Sequence, residues 1–282
     1  MFSISKGNCY LGETVVLSNG FIELEVTTDV GPRIISLRKR GGDNIMYQDE
    51  LDLVNRDVSA TYGAGETWHI YGGHRIWLSP EDEETYYPDH YKVSVEQLDN
   101  GAIFTAEPWR KVNVQPSLKI EFVGHSEVRV ANIVKNLDPN PRLLCVWALT
   151  VLKPDAELTV PFNTRDTGLL ANRNLVVWPY TNLNDERITI SDIDVKLRSV
   201  KNAPTNIKLG MYIERPVAIY RGHGTTLIKR LKPAAPPECY PDFCSNFETF
   251  TSGVIHEVES LSPRTSVPSG HSIEHVEFWE VL

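Results

Sequence analysis

A period of two runs through almost the whole chain, and few folds can accommodate it. Phe21-Ile22-Glu23-Leu24-Glu25-Val26 alternates apolar with charged residues, so one set faces a core and the other faces solvent. Arg33-Ile34-Ile35-Ser36-Leu37 is the next predicted strand. β-like runs recur at 91–97, 102–106, 118–123, 128–134, 143–152, 175–178, 188–193, 210–213, 217–220, 225–230, 246–251, 256–261 and 272–281. Turn formers separate many of them: Ser18-Asn19-Gly20, Gly41-Gly42-Asp43, Asp99-Asn100-Gly101 and Asp138-Pro139-Asn140-Pro141. No long run has helical spacing. Many short strands between Gly, Asn and Pro turns predict an all-β fold, a sandwich or a barrel. No repeat or linker interrupts the pattern. The Pro-rich stretch 232–246 has strands on both sides and reads as a long loop within one domain, 1–282; loops of that length often line binding sites.

Charge narrows the function. A net charge of −9 over 282 residues argues against nucleic acid, whose phosphates require clustered Lys and Arg. The densest basic run, Arg38-Lys39-Arg40, reads as a solvated hairpin end. No apolar stretch approaches the roughly 20 residues of a membrane span, so no membrane partner is expected. The N-terminus lacks a basic segment followed by an apolar one, so no secretory signal is expected. Of the four cysteines, Cys145 lies in an apolar run and reads as a buried small hydrophobe, while Cys239 and Cys244 are too loosely spaced for a zinc pair. Free thiols in a reducing cytoplasm are the expectation.

Two segments carry ionisable groups where a strand would ordinarily hold Val, Ile or Thr. The first is Tyr71-Gly72-Gly73-His74-Arg75-Ile76-Trp77-Leu78-Ser79-Pro80-Glu81, an imidazole and a guanidinium beside a Gly-Gly step at which backbone can approach a ligand closely. The second is His256-Glu257-Val258-Glu259. Alternate strand residues share a face, so Glu257 and Glu259 point the same way. Like charges held that close need cations or a polar ligand to answer them.

The order of these segments resembles the galactose mutarotase-like (aldose 1-epimerase) superfamily across nearly the whole chain. Gly31-Pro32-Arg33-Ile34-Ile35-Ser36-Leu37 with Gly42-Asp43-Asn44-Ile45 is similar to its opening, and Tyr71-Gly72-Gly73 to its Gly-Gly step. Residues 147–152 fall where its central strand would be. Glu257-Val258-Glu259, Pro263, Pro268-Ser269-Gly270 and His275-Val276-Glu277-Phe278-Trp279 resemble its C-terminal end. The resemblance implies a large antiparallel β-supersandwich with a carbohydrate site on a concave sheet face, acting on a small-molecule sugar or sugar acid. Two positions depart from the pattern. Tyr71 stands where mutarotases usually have a His before the Gly-Gly step, although His69 and His74 lie close by. The central stretch Trp147-Ala148-Leu149-Thr150-Val151 has no His, where the superfamily places its general acid.

Mutarotation needs a base to take the anomeric hydroxyl proton and an acid to protonate the ring oxygen. The resemblance assigns the base to Glu259 or Glu257. Glu259 is the first choice, with Glu257 raising the pair's apparent pKa. His74 is the candidate acid or substrate donor. Arg75 can donate to sugar oxygens or to an anionic substituent; its structural alternative is an ion pair with Glu81 or Glu259. Trp77 can stack on a sugar face, although core packing is the more ordinary role. Glu81 is a further candidate binder, Asp89 and His90 are second-tier binders, and Asp242, Asn246 and Glu248 third-tier. The acidic and imidazole-rich C-terminus, with His271, Glu274, His275 and Glu277, has no His-Glu-x-x-His helix motif, so neither a metal nor a cofactor is expected. No Gly-x-Ser-x-Gly elbow points to nucleophilic hydrolysis. A sugar-binding protein without turnover, or a lyase or hydrolase of glycosidic bonds, is the alternative.

Overall fold

The computed structural model describes residues 2–282. Two ten-stranded sheets, antiparallel throughout, form a sandwich. The first runs from edge to edge through Ser3–Cys9, Gly12–Ser18, Ile22–Thr27, Ile34–Lys39, Gly73–Leu78, Val146–Leu152, His256–Leu261, Phe247–Thr251, Ile207–Met211 and Val176–Val177. The second runs through Ile188–Ile190, Asp194–Ser199, Ala156–Pro161, Val217–Gly222, Thr225–Leu231, Ser272–Val281, Glu127–Asn136, Val114–Phe122, Gly101–Thr105 and Ser94–Leu98. The described helices are two four-residue turns and one 3-10 turn, all in connections. The all-β expectation holds.

The two sheets bury their residues differently. In the second, Val114–Phe122 alternates buried and half-buried along its whole length, the mark of one core face and one solvent face. In the first, Gly73–Leu78, Val146–Leu152 and His256–Leu261 are buried at every position. A sheet buried on both faces needs a cover on its outer side. Part of that cover comes from 54–70, 81–86 and 178–180, whose residues join the sheet in lining a cleft. The run 143–152 is not one strand. Arg142–Leu144 pairs with Thr265–Val267 in a small separate sheet, and Cys145 breaks the chain before Val146–Leu152 joins the first sheet.

The Gly-Gly step serves packing rather than ligand approach. A Cβ on Gly72 would lie 2.1 Å from the Tyr47 carbonyl oxygen, and one on Gly73 would lie 2.3 Å from that of Ile34. Both glycines also have positive φ.

Between the sheets lies a buried polar chain. The Lys229 ammonium donates to the Thr150 hydroxyl (2.7 Å) and the Val258 carbonyl (3.0 Å), and pairs with Glu277 Oε1 at 2.8 Å. Thr150 Oγ1 lies 2.9 Å from His74 Nδ1, and His74 Nε2 lies 2.8 Å from Asn132 Oδ1. An amide oxygen only accepts, so Nε2 carries the proton and Nδ1 accepts from Thr150. On the other side His275 Nε2 donates to Ser260 Oγ (2.7 Å), which donates to Glu277 Oε1 (2.5 Å), and Trp279 Nε1 donates to Glu277 Oε2 (2.9 Å). Burial alone would raise the Glu277 carboxyl pKa. Lys229 and the two imidazoles outweigh it and bring the pKa down to about 2. For Lys229 burial outweighs the Glu277 contact and lowers the ammonium pKa, so the desolvation penalty falls on the cation.

Candidate functional site

Strand register assembles the site. On the outer face of the first sheet one row of neighbours reads Arg75, Leu149, Glu259, Glu248; the next reads Gly73, Val151, Glu257, Phe250, Lys208; a third holds Trp77, Trp147 and Leu261. Side chains two apart in each strand share this face. Glu257 and Glu259 do point the same way. Above them lies a cleft of about 360 Å3, walled by Trp68, Trp77, Tyr86, Trp147, Trp178 and Tyr180, with Arg75, Glu81, Lys208 and Glu257 in its lining. That volume and that apolar lining with a few polar groups are usual for a small-molecule site.

The two glutamates differ in access. Glu259 is fully buried; its Oε2 accepts from Trp147 Nε1 (2.9 Å) and from Lys208 Nζ (3.2 Å). Glu248, also fully buried, pairs with the same ammonium at 3.0 Å. The Lys208 ammonium sits 4.5 Å from the Trp147 ring centre and 5.0 Å from that of Trp178. Burial opposes its charge, but Glu259 and Glu248 outweigh it and raise its pKa. Glu257 lines the cleft and makes no hydrogen bond among the described residues. Burial, then Glu259, raise its pKa to about 7 against the pull of Arg75 and Lys208. Burial raises Glu248 to about 8, with Lys208 opposing and Glu259 and Asp242 adding. Glu248 and Glu259 thus share one ammonium, and Glu248 and Glu257 take up protons near neutrality.

Arg75 also lacks a strong partner. Its Nη1 reaches the Ile70 carbonyl only at 3.5 Å, and its Nε has no partner among the described residues. The guanidinium carbon lies 4.3 Å from the Trp77 ring centre and 5.1 Å from that of Trp68. Burial, helped by nearby Arg33, lowers its pKa to about 10. Neither of its predicted ion pairs, with Glu81 or Glu259, forms. Trp77 Nε1 is likewise buried without a partner. The cleft therefore presents unpaired donors (Arg75, Trp77) and an unpaired acceptor (Glu257), while Glu259 Oε1 is buried behind it without a partner among the described residues. A hydroxyl group, donor and acceptor at once, answers both.

Several sequence-predicted site residues lie elsewhere. His74 is on the opposite face of its strand from Arg75, fully buried between the sheets with both ring nitrogens bonded, and burial brings its pKa down to about 4. It does not reach the cleft, so it is neither acid nor donor there. Asp89 is held through both oxygens by the buried Arg33 at 2.9 Å. Asp89→Asn should leave that guanidinium buried with its charge unanswered and lower stability by about 3–5 kcal/mol in urea denaturation, with no direct effect on the cleft. His90 is exposed and bonds the Tyr71 hydroxyl at 2.8 Å; His69 is tied to Asp52. Asn246 uses both ends of its amide on the Ile213 backbone. Asp242 sits near Ser79, at 3.5 Å, and is not in the cleft lining. The Pro-rich loop lines a different cavity, through Lys232 to Ala235 and Tyr240. Trp77, Arg75, Glu81 and Glu257 do meet in the cleft. Lys208, Trp147 and Trp178 were missed. A lone lysine inside Ile207-Lys208-Leu209 was the available signal. Among the described residues no group of three or more His, Cys, Asp or Glu is placed to hold a metal ion.

No protein-family profile matches the chain, and no curated protein sequence does. Solved structures do. The chain superposes on a galactose mutarotase-like protein from Clostridium acetobutylicum with a TM-score of 0.61 at 12% identity, over 100% of this chain and 98% of that one. For an aldose 1-epimerase candidate from Escherichia coli K12 the values are 0.54 and 12%, over 100% and 99%. For a galactose mutarotase-like protein from Lactobacillus casei they are 0.55 and 11%, over 95% and 100%. The chain has the galactose mutarotase-like fold. At such identities the likeness concerns fold, and function has to be argued from the site.

Proposed function

We propose that the protein is a carbohydrate-active isomerase that interconverts sugar anomers by acid–base ring opening in the Trp-walled cleft. The observation that carries this reading is the Glu257 carboxyl: it faces the cleft without a partner, beside unpaired donors and between aromatic walls that suit the C–H faces of a sugar ring. Glu257 takes the anomeric hydroxyl proton. Burial, with Glu259 behind it, keeps its proton affinity near neutrality, where a general base works best. Two of the three N–H groups of Lys208 meet Glu248 and Glu259, and the third donates to the ring oxygen. As the bond from the anomeric carbon to that oxygen breaks, Lys208 passes it the proton, because an alkoxide is the stronger base, and takes the proton back when the ring closes on the other face. Arg75 and Trp77 orient the remaining hydroxyls. The four free cysteines support a reducing, cytoplasmic setting. No described helix is long and apolar enough to cross a membrane.

A second reading, sugar binding without turnover, is favoured by one observation: no imidazole among the described residues lines the cleft, and His74, the expected acid, is turned into the core. Polarimetry on freshly dissolved sugars, paired with calorimetric titration, separates the two. The isomerase reading expects the approach to the equilibrium rotation to quicken in proportion to protein concentration. A sugar that binds with no change in that rate would establish the binding protein instead.

A further inference from the structure

A second cavity, of about 540 Å3, is larger than the cleft and adjoins it. It lies among the 47–53 loop and four turns, at 153–155, 201–202, 223 and 253–254. The wall between the two is one chain thick. Leu53 lines the cavity and the next residue, Val54, lines the cleft; Val254 lines the cavity and Ile255 the cleft. Neighbours in the chain thus line different spaces, and these two short segments serve both. Asp49 holds the wall in place: its Oδ1 accepts from the Leu53 amide (3.0 Å) and the Tyr47 hydroxyl (2.8 Å), and its Oδ2 from the Val54 amide (2.9 Å).

The cavity's surface has the mixed character of a sugar site. Leu51 and Leu53 are 79% and 59% exposed, more than isolated surface leucines require. The ammonium groups of Lys153 and Lys201 and the side-chain amide of Asn202 have no partner among the described residues. Glu50 and Asp155 stand with them. A phosphate or sulfate would meet those two carboxylates unfavourably. A ring with an apolar face and several hydroxyls can use donors, acceptors and leucines together.

We infer that this cavity is a second sugar subsite, so that the ligand is an oligosaccharide with one unit in the cleft and the next across the Val54–Ile255 wall. The inference rests on the reading of the cleft as a sugar site. Calorimetric titration of glucose against maltose and maltotriose, and of galactose against galactobiose, tests it. The longer sugars should bind at least about tenfold more tightly than their monosaccharides, and Leu53→Asp and Lys201→Glu should bring that ratio close to one. Both positions are exposed, and thermal melting verifies that the variants fold. Equal affinity for long and short sugars, or a ratio that survives both substitutions, overturns the second subsite while leaving the cleft reading intact. Binding of no sugar at all removes both.

Discussion

Glu257→Gln should lower the rate of anomer interconversion by about 10²–10⁴-fold while leaving the fold intact, because Gln keeps the shape but cannot take a proton. That loss corresponds to roughly 3–5 kcal/mol of transition-state stabilisation. The wild-type rate should fall as pH drops below about 7, as Glu257 fills with a proton. The same variant should be more stable than wild type in alkaline buffer. A carboxyl whose pKa is raised in the folded state binds more protons there than in the unfolded chain, so its contribution to stability declines as pH climbs from about 4.5 to 7. Gln does not titrate, and a gain of about 1–3 kcal/mol at pH 8 is expected in denaturant titrations. Loss of activity with gain of stability is the pattern of a group placed for chemistry. Glu259→Gln should act differently. It breaks the Trp147 and Lys208 contacts in a fully buried place, so it should reduce stability as well as rate. Full turnover in Glu257→Gln would rule out the assigned base.

Lys229→Met should be the most destabilising single substitution near the core, by about 3–5 kcal/mol, since it strands the buried Glu277 carboxylate. Adding Glu277→Leu should not fully restore stability, because Ser260 and the Trp279 indole also depend on that carboxylate. The pH dependence has a definite sign. The Glu277 pKa is depressed when folded, so its stabilisation is complete above about 4.5 and is lost as pH falls towards 2. Wild type should weaken through this interval, and the double variant should lack this component. Urea midpoints across pH 2–7 measure both effects. A Lys229→Met protein as stable as wild type would show that the ion pair contributes nothing net.

How far the sequence led depended on whether burial was one-sided. Residues 272–281 alternate cleanly because one face meets water, and that strand was legible almost to its ends. Glu257 and Glu259 were legible as a pair for the same reason of parity. In Gly73–Leu78 the alternation disappears, since core and covering loops bury both faces. Nothing in His74-Arg75-Ile76-Trp77 tells which residue faces the partner sheet, so the imidazole and guanidinium were expected together although they point in opposite directions. Ser3–Cys9 escaped notice because it is an edge strand rich in Ser, Lys, Gly and Asn with no buried residue. Lys208 and Lys229 each sit among apolar neighbours, but their partners come from strands remote in sequence, and only the register brings them together.

Four of the six tryptophans wall the cleft, and a fifth, Trp279, touches the buried ion pair. Most of the intrinsic ultraviolet emission of this protein therefore originates within a few ångströms of the place where a ligand would sit. A sugar that displaces water from Trp77, Trp147 and Trp178 should change both the intensity and the colour of that light. Ligand screening then needs neither label nor coupled assay, and a stopped-flow fluorimeter could time sugar arrival separately from the slower optical rotation that reports the chemistry.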